Sequence, residues 1–237
     1  MKLKAKGSNW IEEAKERAAL EAVKHVKDGY IVGLGSGSTA AYAIKEIGKI
    51  TRQKNWQISG IPTSYQAMQI AAEHGIRIAT LHQHPQLDLT IDGADQVDKE
   101  LNLIKGMGGA LTREKIVASA SKQVLIIADE RKLVEKLGTN HPVPIEVLPF
   151  AAPMVMLKLR KMKKKPRLRE TSGKVGPLVT DNGNFILDVD FGPIDTPRKL
   201  NSNLKSIPGV VETGIFIGMA DIVYLGTKNI VRKLKKR

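Results

Sequence analysis

The sequence contains no cysteine. That absence removes disulfides, thiolate metal sites and cysteine nucleophiles together, and it fits a reducing cytoplasm. Long apolar runs are missing as well. No stretch reaches the ~18 residues of a membrane-spanning helix, and the polar segment Met1 to Trp10 lacks the apolar core of a signal peptide, so neither secretion nor membrane insertion is expected. Acidic residues are in deficit, 24 against 38 Lys and Arg, which leaves a formal charge of +14. A field of that sign attracts anions: phosphorylated metabolites, nucleic acid or acidic surfaces. The densest basic runs, Lys158 to Arg169 and the C-terminal RKLKKR, carry no aromatic side chains for base stacking. They are expected to be a solvated helix face and turn rather than a nucleic-acid patch.

The remainder is ordinary for a globular chain, 42% hydrophobic and 26% charged. At 237 residues it exceeds the usual ~100–200 of one domain, so one large domain or one domain with a smaller companion is expected. Ile11, Ala14, Ala18, Ala22 and Val26 recur near helical spacing and predict an opening amphipathic helix. Tyr30 to Leu34 is a short apolar run that ends in GSGST, and a helical pattern resumes over Ala40 to Ile47, so strand, glycine turn and helix come in that order. Strands are then expected at Gln57 to Ile61, Arg77 to Leu81, Leu87 to Ile91 and Val124 to Ala128, with helices at Ser64 to His74 and from Thr112 to about Ser121. This alternation predicts an α/β fold with a wound, mainly parallel, Rossmann-like sheet covered on both faces.

Around Gly138 the texture changes to the proline-rich HPVPIEVLP. From there the chain reads as strand Val143 to Leu148, helix Ala151 to Met162, strand Arg167 to Glu170, a hairpin, helix Pro197 to Ser206 and strand Val210 to Phe216. Leu178 to Thr180 and Phe185 to Val189 are the hairpin's expected arms, around Asp181-Asn182-Gly183-Asn184. The βαββαβ order suggests an inserted ferredoxin-like α+β unit. Ala220 to Leu225 is expected to rejoin the first sheet. The expected division is therefore an α/β domain of residues 1–140 and 215–237 with an inserted domain of residues 141–214.

Three segments carry chemistry. Gly35-Ser36-Gly37-Ser38-Thr39 stands between strand and helix, where amide groups and the helix dipole can hold an anion, although a plain capped turn would look the same. Its spacing fits neither G-x-G-x-x-G nor a Walker loop, which weakens dinucleotide and ATP readings. Asp92-Gly93-Ala94-Asp95 comes after a strand, where open α/β sheets bind ligands; two carboxylates there can hold sugar hydroxyls or, less favoured, a metal, and an Asp N-cap is the structural alternative. Lys105-Gly106-Met107-Gly108-Gly109 brings three glycines close together before the helix that begins near Glu114, which equally suits a helix start with a dipole-stabilised carboxylate. His82 and His84, beside Pro85, read as surface loop. Jointly these residues suit carbonyl migration in a sugar, for which one base moves a proton between neighbouring carbons and a cation steadies the enediolate oxygen. Glu114 can be that base and Lys105 that cation. No metal or redox cofactor is demanded. A sugar-phosphate sensor of the same architecture would need no Glu114 and Lys105 pair, and a nicotinamide enzyme would need a fingerprint loop that is missing.

At this level the chain resembles the A-type ribose-5-phosphate isomerases. The resemblance runs through GLGSGSTAAYAI, TIDGADQVD, LIKGMGGALTREKIVASA, IIADERKLVEKLG, PVPIEVLPFA, VTDNGNFILDV and IPGVVETGIF. It implies interconversion of ribose 5-phosphate and ribulose 5-phosphate in the non-oxidative pentose phosphate pathway, no cofactor, an inserted lid and a homodimer or homotetramer. Carried onto this sequence, it implies that Ser36, Gly37, Ser38 and Thr39 bind substrate and that Asp92, Gly93, Ala94 and Asp95 hold hydroxyls and assist ring opening. Lys105, Gly106, Met107 and Gly108 would line the reacting end, Glu114 would accept the proton, Lys132 would bind substrate, and Lys15 would approach the phosphate. Ser36 stands where Thr is expected, Gln96 where Glu is usual, and Met107 where Gly is usual, so that Met107 would either crowd the loop or point outward.

Overall fold

The computed structural model describes residues 9–236, so the reading of the N-terminus as lacking a signal-peptide core lies, for residues 1–8, outside the described residues. The helices are α1 (Asn9–Val23), α2 (Ser38–Lys54), α3 (Tyr65–Glu73), α4 (Leu111–Ser119), α5 (Ala152–Lys161) and α6 (Pro197–Lys205). The strands are β1 (Ile31–Leu34), β2 (Ser59–Pro62), β3 (Arg77–Ile78), β4 (Leu89–Gly93), β5 (Gln96–Val97), β6 (Leu103–Ile104), β7 (Val124–Asp129) and β8 (Val143–Val147). They continue with β9 (Arg167–Leu168), β10 (Glu170–Thr171), β11 (Lys174–Pro177), β12 (Phe185–Val189), β13 (Val210–Thr213), β14 (Ile215–Phe216), β15 (Ile222–Gly226) and β16 (Val231–Lys235). Two compact units result, one of Met1–Gly93, Val117–Lys132 and Ala220–Arg237, the other of Ala94–Ile116 and Leu133–Met219.

In the first unit seven strands lie in the order β16-β15-β7-β4-β1-β2-β3, and only β16 runs antiparallel to its neighbour. β7 is buried along its whole length and β4 from Leu89 to Asp92, as a parallel sheet covered on both faces requires. Helix α1 presents Ala14, Ala18, Ala19 and Ala22, all fully buried, and these small side chains bring its backbone close to the sheet. A Cβ on Gly226 of β15 would collide with the Ala14 carbonyl. Strand order reverses between β1 and β4, and the carboxyl ends of those two strands carry the GSGST and DGAD segments. That crevice is where wound sheets bind ligands.

The second unit runs β8-α5-β9-β12-α6-β13, and its antiparallel sheet has the order β13-β8-β12-β9. This is the ferredoxin-like arrangement, with Ile145, Val147, Val155, Leu159, Leu187, Val189 and Leu204 in its core. A small sheet β14-β6-β5 sits in the same unit.

Three expectations are corrected. Leu178 to Thr180 form no strand; only the bridge Val179 to Phe185 survives, and β12 pairs instead with β8 and β9. The physical reason is Glu146 on β8, fully buried, whose Oε1 accepts from Thr180 Oγ1 at 2.9 Å, Asn182 Nδ2 at 3.0 Å and Asn184 Nδ2 at 2.8 Å. The turn folds onto a carboxylate rather than into a ladder. The C-terminal basic run is not a helix face or turn but edge strand β16, paired from Val231 to Lys235 along β15. Basic residues suit an edge because they discourage further strand pairing. Arg77 to Leu81 shortens to the two residues of β3.

These contacts lead to two expected outcomes. Glu146→Ala removes the acceptor of three Oε1 bonds and of Thr112 Oγ1 at 2.5 Å, so it lowers the free energy of unfolding by about 3 kcal/mol or more. Urea denaturation measures this, and a loss below about 1 kcal/mol would mean that water readily replaces Glu146. In the first unit His25 Nε2 lies 2.6 Å from Tyr224 Oη, and burial, then the charges of Lys233 and Lys235, hold the imidazole below the ordinary histidine range. Between that value and ~6.5, the unfolded chain binds more protons than the folded one, so stability rises with pH. His25 thus contributes stability that is present above ~6.5 and lost as pH falls through the folded value. Thermal melting between about pH 8 and pH 5 should show a shallower decline for His25→Gln than for the parent; parallel declines would contradict it.

Candidate active site

In the first unit the chain leaves β1 through Gly35, Ser36 and Gly37 and enters α2 at Ser38. Gly35 is required by close approach, since a Cβ there would overlap Asp92. Gly37 takes φ +94°, which L side chains rarely adopt, and offers no side-chain cap to the first turn of α2. Asp92, buried at the end of β4, accepts the Ser36 amide at 3.1 Å and the Gly93 amide at 2.7 Å on one oxygen, Oδ1. Ser36 Oγ meets Thr63 Oγ1 at 2.7 Å and Ser64 Oγ at 2.6 Å, and the Gly37 amide donates to Gln66 Oε1 at 2.9 Å. Lys15, on α1, donates to Glu12 at 2.7 Å and to Ser38 Oγ at 3.3 Å. Hydroxyls, an ammonium and an amide-rich helix start therefore converge around residues 36–38, an arrangement suited to a phosphate or polyol. Lys132 closes the short 3-10 turn Glu130–Lys132 after β7, and Thr39 lies in the first turn of α2.

In the second unit β6 delivers Lys105, whose amide donates to the Gly214 carbonyl at 2.9 Å. The Lys105 side chain is buried with Nζ 3.2 Å from Glu114 Oε1 and 5.6 Å from the centre of the Phe216 ring. Glu114, 5% exposed, occupies the first turn of α4, where the helix dipole favours a carboxylate. Its sequence neighbours are all anchored. Thr112 bonds Glu146; Arg113 donates to Asn182 Oδ1 and to the Asp181 carbonyl, each at 2.7 Å. Lys115 Nζ reaches Glu212 Oε1 at 2.9 Å and the carbonyls of Thr213 and Ile215 at 2.7 and 2.8 Å. Burial pushes the pKa of Lys115 down against the pull of Glu212; for Glu212, burial pushes up but Lys115 and the Thr213 amide outweigh it, so its pKa falls.

Asp95 accepts the Met107 amide on Oδ2 at 3.0 Å, and its own amide donates to the Ile104 carbonyl at 2.8 Å. Gly106 and Gly109 take φ +105° and +83°, which accounts for glycine at both positions. Met107 does not fill the loop: it is 44% exposed, with Sδ 3.9 Å from Arg169 Nη2. Gln96 donates to the Thr139 carbonyl at 2.8 Å and accepts the Gly138 amide at 2.7 Å.

The first unit thus brings together Lys15, Ser36, Gly37, Ser38 and Asp92, and the second brings together Asp95, Lys105, Gly106, Met107 and Glu114. Thr63, Ser64 and Gln66 escape a reading of the sequence, although TSYQ comes directly after β2, as the GSGST turn does after β1. Arg169 escapes it as one of many basic residues. His82 and His84 lie in a loop, and among the described residues no group of three His, Asp or Glu side chains is arranged to hold a metal ion.

Residues 59–230 match the family model of ribose 5-phosphate isomerase A, or phosphoriboisomerase A. The ribose-5-phosphate isomerase A of Methanothermobacter thermautotrophicus is 51% identical over 221 residues, spanning 93% of this chain and 97% of that protein. A solved D-ribose-5-phosphate isomerase in complex with phospho-erythronic acid superposes with a TM-score of 0.92 at 48% identity, covering 95% of this chain and 99% of the other. Ribose 5-phosphate isomerase A from Methanocaldococcus jannaschii superposes with a TM-score of 0.92 at 45% identity over 95% and 99% of the two chains. With agreement of this extent in sequence and in fold, the chain belongs to the ribose 5-phosphate isomerase A family.

Proposed function

We infer that this chain is an aldose-ketose isomerase that interconverts ribose 5-phosphate and ribulose 5-phosphate. The observation that carries the reading is the buried pair in which Lys105 Nζ stands 3.2 Å from Glu114 Oε1. Isomerisation is internally redox-balanced: C2 is oxidised as C1 is reduced, so the net change is a relocation of hydrogen. Glu114 takes the proton from C2 of the open aldose, the C2–H electron pair becomes the C1=C2 bond, and negative charge collects on the C1 oxygen. Lys105 steadies that charge. Glu114 then returns the proton to C1 while the proton of the C2 hydroxyl passes to the C1 oxygen, leaving a ketone at C2 and a hydroxyl at C1.

Asp92 and Asp95 hold sugar hydroxyls and assist ring opening. Gly93, Ala94, Gly106, Met107 and Gly108 line the sugar; Ser36 to Thr39, with Lys15, receive the phosphorylated substrate, and Lys132 adds a cation for it. The relative's complex with phospho-erythronic acid supports this reading, because the carboxylate of that acid offers two oxygens on one carbon, much as an enediolate offers two on neighbouring carbons. Residues 141–214 act as an inserted lid. The working form is a cytoplasmic homodimer or homotetramer, which light scattering distinguishes.

Glu114→Gln keeps the fold and most substrate affinity but lowers turnover at least ~10²-fold, the low end of what a positioned base supplies. Ketose formation from ribose 5-phosphate measures it, and near-parental turnover would remove Glu114 from the role. Lys132→Ala raises KM with a smaller effect on kcat, and an unchanged KM would exclude contact with substrate.

A further inference from the structure

Arg169 closes the basic run Lys158 to Arg169, yet its side chain is only 9% exposed. Nε donates to Asp188 Oδ2 at 2.8 Å and Nη2 to Asp188 Oδ1, while Nη1 donates to the carbonyls of Gly106 at 2.7 Å and Met107 at 2.9 Å. One planar cation thus joins β12 to two successive peptides of the glycine loop. In a trans peptide the C=O and N–H point in opposite directions, so holding both carbonyls turns both amides to the other side of the loop. One of those amides, Met107 N–H, meets Asp95 Oδ2 there at 3.0 Å; the other belongs to Gly108. A loop with three glycines in four positions samples many conformations when unrestrained.

We propose that Arg169, gripped by Asp188, is the positioning residue of the glycine loop: by fixing the Gly106 and Met107 carbonyls it holds Asp95 and the backbone next to Lys105 in working geometry. This rests on Lys105 and Glu114 being the proton-transfer pair. Lysine cannot substitute, because an ammonium lacks the planar fork that binds a carboxylate and two carbonyls together.

The test compares Arg169→Ala, Arg169→Lys and Glu114→Gln with the parent, measuring kcat and KM for ribose 5-phosphate, thermal melting, and the effect of guanidinium at sub-denaturing concentration. The expected result is a kcat lowered about tenfold to a hundredfold in both Arg169 variants, as a misplacement near 1 Å would cause, with KM changed much less. Guanidinium should restore part of the kcat of Arg169→Ala and leave the parent no faster. A parental kcat in Arg169→Lys overturns the proposal, and so does an Arg169→Ala that melts earlier with kcat intact or with no response to guanidinium, since the contact would then be structural only. If Arg169→Ala does not fold, the kcat of Arg169→Lys decides. Substantial turnover in Glu114→Gln would defeat the base assignment instead, whereas an inactive Glu114→Gln beside a fully active Arg169→Lys would defeat this proposal alone.

Discussion

Two opposite charges kept out of water, Lys105 and Glu114 at 3.2 Å, set the demand that the second unit answers. Removing such ions from solvent costs several kcal/mol each, and their attraction offsets this only in good geometry. A well-packed apolar pair would stabilise the fold at least as well, so the pair is better explained by chemistry than by stability. Its geometry depends on two local structures. Strand β6, held to β14 by Ile104 with Ile215 and Leu103 with Phe216, delivers Lys105; the first turn of α4 delivers Glu114. Glu146, the Asp181 to Asn182 turn and Glu212 anchor Thr112, Arg113 and Lys115, the residues around Glu114. A carboxylate that must face one atom and then its neighbour gains from a helix turn that cannot rotate.

The first unit orders the end of β1 by different means, without a long side chain. Gly35 admits Asp92, Asp92 fixes the Ser36 amide, and the Ser36 hydroxyl in turn meets those of Thr63 and Ser64. Serine at position 36 makes both hydroxyl contacts without threonine's methyl group.

What can be read from the sequence alone depends on how local each signal is. The parallel strands are legible from short runs such as Val124 to Ala128 of β7, apolar throughout, and the βαββαβ unit because its elements alternate in period. Glu114, Lys105, Asp92 and Asp95 stand beside glycine turns, where side-chain chemistry and backbone freedom coincide. The hairpin around Asn182 is misread from sequence because Glu146 lies more than thirty residues away, and no local pattern announces a buried carboxylate. Arg169 is hidden by company. Within a run of basic neighbours nothing in composition separates the one guanidinium that leaves solvent from the charges that stay in it.

Gln96 shows how a departure from the usual pattern becomes intelligible once its partners are known. Its amide does two opposite things, donating to the Thr139 carbonyl and accepting the Gly138 amide, and Gly138 holds φ +80° so that both groups are presented. A carboxylate at this position could accept from Gly138 but would face the Thr139 oxygen with a lone pair. That repulsion, in a residue 5% exposed, would force the 138–139 backbone to turn its carbonyl elsewhere or bring in water. The glutamine therefore belongs with this conformation of the loop rather than with the proton chemistry, and its neighbour Asp95 keeps the Met107 amide in either case.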